Sequence, residues 1–231
     1  MDSSWLSANP GLFLSVLLGT VFALILLSKW IRYIPNNRVG IVEKLISGKG
    51  SVKTGLIALN GEAGFQPSLL RGGWHYLTPF QYRIHRMPLV TIPQGKIGYV
   101  FARDGKDLPP SQALASNARG ADFQDLMGFI QGGGEKGPQR QILREGMYAI
   151  NLVQFVVLTE DQVYYLPLDK SEVETFQKMS AIIAERGGWR PVIIRGADDS
   201  VGIVTVHDGP SLASGEIIAS TVGEDPHQAS T

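Results

Sequence analysis

The chain has 231 residues, and its 21 Lys and Arg residues balance 21 Asp and Glu residues, so its formal net charge is zero. This balance excludes a general electrostatic attraction to nucleic acid or to anionic lipid. The absence of cysteine excludes disulfides, thiolate metal sites and a cysteine nucleophile. The 27 glycines and 13 prolines favour many turns and short strands over a helical bundle.

The first predicted element is a membrane-spanning helix. From Trp5 to Ser28 the chain has 24 residues without a charge, enough for a helix of roughly 36 Å. A signal peptide lacks support because no basic segment precedes the run, and a buried core helix is the remaining alternative. We therefore predict a tail over 1–10 and a transmembrane helix with its exit over 11–34. The predicted anchor residues are Trp5, Leu12, Phe13, Leu14, Val16, Leu17, Leu18, Val21, Phe22, Leu24, Ile25, Leu26, Leu27 and Trp30.

The charges that follow this helix predict its orientation. Lys29, Arg32 and Arg38 come after the apolar run, whereas Asp2 precedes it. The positive-inside rule then places the N-terminus outside the cell and the main domain in the cytoplasm. The expected localisation is the cell membrane, with a single pass.

Beyond Pro35 the sequence predicts mostly short strands. Segments rich in apolar, β-branched and aromatic residues are bounded by Gly, Pro, Asn and Asp. The predicted strands are Val39–Ile46, Tyr82–Ile92, Ile97–Arg103, Leu152–Thr159, Gln162–Leu168, Pro191–Arg195 and Val201–His207. Together with one helix they predict an α+β domain of mostly antiparallel strands over 35–195.

One helix is well marked, from about Ser171 to Arg186. Asp169 or Ser171 is suited to its N-terminus, and Gly187-Gly188 stops it. Its apolar stripe predicts a face packed on the core, with a partner-helix surface as the alternative. The stripe consists of Val173, Phe176, Met179, Ile182 and Ile183. In the preceding region, residues 111–128 are at best weakly helical and 132–137 (GGGEKG) predict an exposed loop.

The sequence repeats itself. Ile97–Ser116 aligns without gaps to Val201–Ser220 with seven identities in 20 positions, and Leu70–Ile84 resembles Leu143–Val157. A turn is expected at Asp104-Gly105 and at its copy Asp208-Gly209. Because a further repeat begins but is not completed, we expect a fragment or truncated chain, with 196–231 holding the start of that repeat and a frayed polar tail.

These motifs resemble the opening of a band 7 protein, the stomatin–prohibitin–flotillin superfamily, and in particular its flotillin-like bacterial members. The resemblance rests on "IPNNRVGIVEK", "LRGGWHYLTPFQYRIHRMPLVTIP" and the repeated "LREGMYAIN". It implies a small α+β domain of antiparallel strands lying against a membrane. The residues of this fold motif are Gly40, Arg71, Gly73, Trp74, Leu77, Pro79, Gly98, Arg144, Gly146, Tyr148, Ile150 and Gly202.

No catalytic motif is evident, so we predict a protein that is not an enzyme and has no cofactor or metal. The four histidines have no metalloprotease spacing, and GGGEKG lacks the Ser or Thr that a phosphate-binding loop needs after its lysine. Arg71 and Arg144 occupy equivalent positions of the repeat. Their side chains either contact lipid head groups or support the turn at Gly73 and Gly146, and the sequence leaves both interpretations open.

The resemblance implies a membrane-anchored scaffold that organises a membrane domain through self-assembly. Its expected partners are the lipid bilayer, further copies of the chain and client membrane proteins, with no nucleic acid. Two alternatives remain, a regulatory partner of a membrane protease and a membrane-tethered enzyme with an unrecognised site. Because the sequence lacks a heptad stretch, we expect monomers or small, weak assemblies of this chain rather than a large ring.

Overall fold

The computed structural model describes residues 10–28, 30–110, 112–116, 123–192, 203 and 214–218. These residues form a mixed, sheet-rich fold with three helices. The helices are α1 (Pro10–Ser28), α2 (Leu126–Gln131) and α3 (Ser171–Glu185). The strands are β1 (Ile31–Ile34), β2 (Arg38–Lys44), β3 (Gly64–Leu70), β4 (Gly73–Tyr76), β5 (Tyr82–Pro88), β6 (Val90–Ile92), β7 (Tyr99–Ala102), β8 (Gly137–Pro138), β9 (Gly146–Tyr148), β10 (Phe155–Leu158) and β11 (Val163–Tyr164).

The predicted membrane-spanning helix is wrong. Across the part of the chain that the structure describes, no helix has both the length and the apolar character needed to cross a membrane. α1 has 19 residues, a length of about 28 Å, against the roughly 36 Å expected from the charge-free run. It begins at Pro10, a residue suited to the first helical turn, and the chain is already in strand β1 at Ile31.

This finding corrects two of the sequence predictions. The fold class is a mixed, sheet-rich fold with three helices rather than an α+β domain behind a transmembrane helix. The single-pass localisation, and with it the N-terminus outside the cell, is wrong. The domain was predicted to begin at residue 35, and the strand Ile31–Ile34 directly before it pairs with β4.

Strands β1 to β5 form a first repeat unit. β2 is the centre of a three-stranded antiparallel sheet with the order β3-β2-β5. β1 pairs with β4 in a separate two-stranded antiparallel ribbon, in which Ile34 lies opposite Gly73. Val39, Ile41 and Ile34 are fully buried, and Ile41 belongs to a hydrophobic cluster that also contains residues of β6, β7 and β10.

Strands β6 to β10 form a second unit with the same connections. β6 pairs with β9, and β7 pairs with β8 and β10, all antiparallel. Ile92 lies opposite Gly146 as Ile34 lies opposite Gly73. β11 extends the second sheet, which has the order β11-β10-β7-β8. The predicted recurrence of Leu70–Ile84 as Leu143–Val157 is therefore confirmed as a structural repeat.

Equivalent positions of the two units also make equivalent contacts. The amides of Gln66 and Gln139 each donate to the carbonyl oxygens two and four residues before them. A Cβ on Gly40 would lie 2.5 Å from Ile34 Cδ1, and one on Gly98 would lie 2.7 Å from Ile92 Cδ1. Glycine at these two positions therefore permits the close approach of the ribbon to the sheet in both units.

The repeat predicted at Val201–Ser220 lies almost wholly outside the described residues, so Gly202 and the Asp208-Gly209 turn have no structural account. Its partner segment is described. Gly105 has a φ of +146°, in the region that favours glycine, and Asp104 Oδ1 accepts a hydrogen bond from its N–H at 2.8 Å. The turn expected at Asp104-Gly105 is therefore confirmed.

Helix α3 begins and ends where the sequence predicted. Asp169 Oδ1 accepts a hydrogen bond from Ser171 N–H, which lowers the pKa of Asp169. Gly187 has a φ of +62° and its N–H donates to Ala184 O. The predicted core-facing stripe is correct only in part. Phe176 is buried against Val156, Leu158 and Trp189, whereas Val173 and Ile182 are exposed.

The region before β8 is more ordered than predicted. Leu126–Gln131 is a helix whose first turn is capped by Asp125, and Asp125 Oδ1 accepts from Gly128 N–H at 2.9 Å. The GGGEKG segment is not a simple exposed loop, because Gly134 is buried. Glu135 Oε2 accepts from both the N–H and the hydroxyl of Ser116 at 2.8 Å.

We expect the domain to fold without the segment that precedes β1. The described side chains of α1 are exposed to solvent, so none of them belongs to the core. The free energy of unfolding of the shortened chain should match that of the full chain to within about 0.5 kcal/mol. Urea denaturation followed by circular dichroism measures this. A shortened chain that is unfolded would show that α1 belongs to the core.

Candidate functional site

One face of the β1–β4 ribbon is apolar and exposed. Tyr33 lies opposite Trp74, and Ile31 lies opposite Tyr76. Because side chains alternate along a strand, these two pairs share one face. All four side chains are exposed, and Trp74 retains 74% of its accessible surface. We call Ile31, Tyr33, Trp74 and Tyr76 the aromatic face.

Ring contacts give the aromatic face a defined shape. The ring centroids of Tyr33 and Trp74 are 5.0 Å apart with 48° between the planes. Trp30 extends the surface beyond β1, since its ring lies 5.3 Å from that of Tyr76. Trp30 O also accepts a hydrogen bond from Leu77 N–H at 2.9 Å. These tilted pairs hold the rings against one another instead of leaving them free to rotate.

Residues on the opposite face of the ribbon are buried or hydrogen-bonded within the fold. Ile34 is fully buried, and Arg32 lies opposite His75. His75 Nε2 donates to Arg71 O at 2.6 Å, which ties the strand to the turn before it. Gly73 has a φ of +128°, a conformation that other residues rarely adopt. Since Ile34 must stay in the core, the ribbon cannot turn its aromatic residues inward.

The second unit shows that the fold does not require aromatic residues at these positions. In its β6–β9 ribbon, Thr91 and Met147 occupy the places of Tyr33 and Trp74. Met147 is also exposed, with 62% of its surface accessible. The same ribbon therefore forms with one small polar side chain and one flexible apolar one. The aromatic pair in the first unit is an addition that the backbone pairing does not explain.

Charge and apolar surface lie close to the aromatic face along the chain. Arg38 and Arg71 are exposed and Arg32 is half-buried. Helix α1 ends at Ser28, two residues before Trp30, and carries exposed apolar side chains. Its exposed large residues are Leu14, Val16, Leu17, Leu18, Val21, Phe22, Leu24 and Ile25. The described part of α1 therefore adds exposed apolar surface at 14–25, shortly before the aromatic face in the sequence.

The predicted motif residues have mostly structural roles. Gly73 and Gly146 both have a positive φ at the start of a ribbon strand, and the carbonyl oxygens of Arg71 and Arg144 accept from His75 and Tyr148. These contacts use main-chain oxygens that any residue would supply, so both interpretations of the recurring arginine side chains stay open. Leu77 and Pro79 are half-buried, whereas their equivalents Ile150 and Leu152 are fully buried. Trp5, Lys29 and Gly202 lie outside the described residues.

Trp74, one of the predicted fold-motif residues, lies on the surface with 74% of its area accessible. Sequence reasoning did not single out Tyr76 or Ile31, and it assigned Trp30 to the end of a helix. A signal was present. Apolar or aromatic residues flank one polar residue in both Ile31–Tyr33 (IRY) and Trp74–Tyr76 (WHY), a short alternation typical of a two-sided strand pair.

A cavity of about 500 Å³ lies between β7 and the first turns of α3. Its charged groups are already paired. Arg103 Nη2 donates to Glu172 Oε2 at 3.0 Å, and Leu56 N–H donates to Asp104 Oδ2 at 2.8 Å. Burial lowers the pKa of Arg103, while Glu172 opposes that change. These groups hold the fold together and offer no reactive atom.

Within the described residues, no three His, Asp or Glu side chains come together to hold a metal ion. The prediction of a chain without metal, cofactor or catalytic activity therefore stays a prediction. In comparisons with known proteins, no family model, no curated protein and no solved structure matches this chain. The aromatic face is the feature of the described surface that most needs a functional explanation.

Proposed function

We propose that this chain is a non-enzymatic scaffold that binds a lipid surface through its aromatic face, associates with further copies of itself, and gathers other membrane proteins there. The resemblance to band 7 proteins suggests the scaffold role. The observation that carries the proposal is the exposed Tyr33–Trp74 pair. In the second unit Thr91 and Met147 replace that pair without loss of the ribbon.

The chemistry of the aromatic face suits the boundary between lipid and water. Trp and Tyr are enriched at membrane interfaces because each ring combines an apolar body with a polar N–H or O–H group. Trp30, Tyr33, Trp74 and Tyr76 supply four such rings on one ribbon. A protein core would leave their polar groups in need of partners, whereas head groups and interfacial water supply them.

Nearby positive charge supports the same partner. Arg38 and Arg71 are exposed close to the ribbon in sequence. A basic residue near an anionic leaflet contributes about 1 kcal/mol to binding. The long side chains of arginine also let the charge reach the head groups while the aliphatic part follows the apolar surface. Binding should therefore be stronger to anionic vesicles than to neutral ones.

Replacing Tyr33 and Trp74 together with serine should weaken vesicle binding of the full chain by at least about tenfold. Each aromatic side chain contributes about 1.5 to 3 kcal/mol when it leaves water. Co-sedimentation with vesicles of phosphatidylcholine and phosphatidylserine in a 4:1 ratio, at a series of lipid concentrations, measures the change. Vesicles of phosphatidylcholine alone give the contribution of charge.

Met147→Ser is the matched control, because Met147 occupies the position of Trp74 in the second unit and is similarly exposed. This variant should bind vesicles as the unchanged chain does. Circular dichroism and thermal unfolding should give the same result for all three proteins, since none of the substitutions removes a buried group. Equal vesicle binding by the double variant and the unchanged chain would show that the aromatic face does not contact lipid.

A further inference from the structure

The cavity between β7 and the first turns of α3 has the size and the lining of a small-molecule site. Its volume of about 500 Å³ lies within the usual range of ligand pockets, roughly 300 to 1,000 Å³. Leu56, Phe101 and Leu168 supply apolar walls, and the buried Phe176 also lines the cavity. Leu56 belongs to the first unit and Phe101 to the second, so the cavity lies where the two units meet.

The charged groups that line this cavity are two carboxylates and one guanidinium. They belong to Asp104, Glu172 and Arg103. The lining therefore has one negative charge in excess, of which the positive end of α3 offsets roughly half a charge. Among the described lining residues, no other side chain is charged. A cationic ligand therefore complements this cavity better than a neutral or an anionic one.

The carboxylate of Glu172 is held in place through one oxygen while the other is unused. Glu172 Oε2 accepts from Arg103 Nη2 at 3.0 Å and from the N–H groups of Leu168 and Asp169 at 3.1 and 3.4 Å. In the described part of the chain, no hydrogen bond reaches Glu172 Oε1, and the side chain keeps 23% of its surface accessible. Three donors thus fix an acceptor that is ready for an ammonium group.

Arg103 has an unused donor in the same cavity lining. Its side chain is 5% exposed, and its two terminal nitrogens donate to Glu172 and to Val153 O. Arg103 Nε is buried and has no acceptor among the described residues. A buried donor without an acceptor is costly. An oxygen atom on a ligand in the cavity is the acceptor that this N–H group lacks.

The repeat shows that the fold does not require these charges. The N–H groups of Leu45 and Arg103 donate to equivalent carbonyl oxygens of the two units, at 2.7 and 2.8 Å. Leu45 and Ile46 of the first unit thus stand where Arg103 and Asp104 stand in the second. The same backbone forms with two apolar residues. Since a buried ion pair adds little stability over apolar residues, folding alone does not explain why Arg103 and Glu172 line this cavity.

We propose that this cavity binds a small organic amine. The ligand has an ammonium group, a hydroxyl or carbonyl oxygen close to it, and an apolar body of about the size of a benzyl group. Glu172 Oε1 accepts a hydrogen bond from the ammonium, and Arg103 Nε donates to the oxygen. The apolar body lies among Leu56, Phe101 and Leu168. This binding function is separate from the lipid-binding role of the aromatic face.

Three probes that share a phenyl ring separate these contributions. Phenylalaninol carries both the ammonium and the hydroxyl, hydrocinnamyl alcohol lacks the ammonium, and phenethylamine lacks the hydroxyl. Titration of the isotope-labelled full chain without lipid, followed by amide shifts in NMR spectra, gives the affinity and the location of each. Phenylalaninol should bind at least about tenfold more tightly than hydrocinnamyl alcohol and about threefold more tightly than phenethylamine. The shifts should concentrate at 55–56, 101–104 and 168–176.

Glu172→Gln tests the carboxylate. The amide keeps the shape and one oxygen but loses the charge, so phenylalaninol should lose at least about tenfold in affinity and bind no more tightly than hydrocinnamyl alcohol. A general loss of structure would weaken all three probes alike, so the ratio of affinities is the readout. Glu174→Gln is the matched control, because Glu174 lies in the same turn of α3 and pairs with Lys178 on the surface. It should leave all three affinities unchanged.

Thr175→Trp tests the location. Thr175 is exposed and lines the cavity, so a large side chain at this position fills the cavity without replacing a buried group. All three probes should then bind at least about tenfold more weakly. Circular dichroism and thermal unfolding should remain those of the unchanged chain, since α3 keeps its packed residue Phe176.

The outcomes that overturn the inference are distinct from those that bear on lipid binding. Equal affinities of phenylalaninol and hydrocinnamyl alcohol would show that the cavity does not recognise an ammonium group. Phenylalaninol binding that persists in Thr175→Trp, or no saturable shift at the lining residues, would show that the cavity is not the site. None of these measurements contains lipid, so a failure of vesicle binding leaves this inference standing.

Discussion

Replacing Phe129 with alanine should lower the free energy of unfolding by about 3 to 5 kcal/mol. Phe129 is fully buried at the centre of a cluster of three rings. Its ring centroid lies 4.9 Å from that of Phe155 in an edge-to-face arrangement and 6.4 Å from that of Phe123. The substitution removes both ring contacts and leaves a cavity that the surrounding sheet cannot fill by moving. Urea denaturation followed by tryptophan fluorescence measures the loss.

A substitution at Gly134 tests the packing around the Phe129 ring more directly. A Cβ on Gly134 would lie 2.4 Å from an atom of the Phe129 ring, so Gly134→Ala alone should destabilise the chain by about 1 to 3 kcal/mol. In a chain that already carries Phe129→Ala, the added methyl group enters the cavity and its cost should disappear. Phe80→Ala is the control for the loss of an exposed ring and should change stability by less than about 0.5 kcal/mol. Additive effects of the first two substitutions would show that residues 129 and 134 do not touch.

Replacing Arg103 with alanine should cost about 3 kcal/mol, because Glu172 then loses the charge that balances it. The Arg103 side chain is only 5% exposed, and besides Glu172 it donates to Val153 O at 2.9 Å. Its guanidinium also lies 5.8 Å from the Phe176 ring centroid. The expected loss of stability lies at the lower end of the range for a broken buried ion pair because the Glu172 side chain is partly exposed to water.

The contacts of Glu172 predict which part of the chain loses stability when Arg103 is replaced. Its carboxylate also accepts from Leu168 N–H and Asp169 N–H, so the pair fixes the start of α3 against the sheet. Hydrogen exchange should therefore speed up first in α3 and in the turn before it. The control is Lys178→Ala, which breaks the exposed ion pair of Lys178 with Glu174 and should cost at most about 0.5 kcal/mol. Similar losses for the two substitutions would contradict a structural role for the buried pair.

The candidate site was only partly accessible to sequence reasoning. The recurring glycines at Gly73 and Gly146 were found from the repeat, and their positive φ follows from local turn geometry. The aromatic face was not found, because its four residues come from two segments about forty residues apart. Ile31–Ile34 becomes a strand through hydrogen bonds to Gly73–Tyr76, and no property of the first segment alone specifies that partner.

The burial of equivalent residues also could not be predicted from the sequence alone. Pro79 and Leu152 occupy the same position of the repeat, yet the second is fully buried and the first is not. Val173 and Ile182 likewise share the helical stripe of Phe176 but remain exposed. Periodicity identifies which residues share a face, whereas the position of neighbouring elements decides how much of that face is covered.

The sequence by itself determined the features that depend on neighbouring residues and on internal similarity. These are the bounds of α3, set by Asp169 and Gly187, the turn at Gly105, and the existence of a repeat. Only the tertiary structure decided the end of α1, the pairing of β1 with β4, and the burial of Arg103. The physical reason is the range of the interactions. Caps and turns form within a few residues, while strand pairing and burial depend on segments that are distant in sequence and are brought together only in the folded chain.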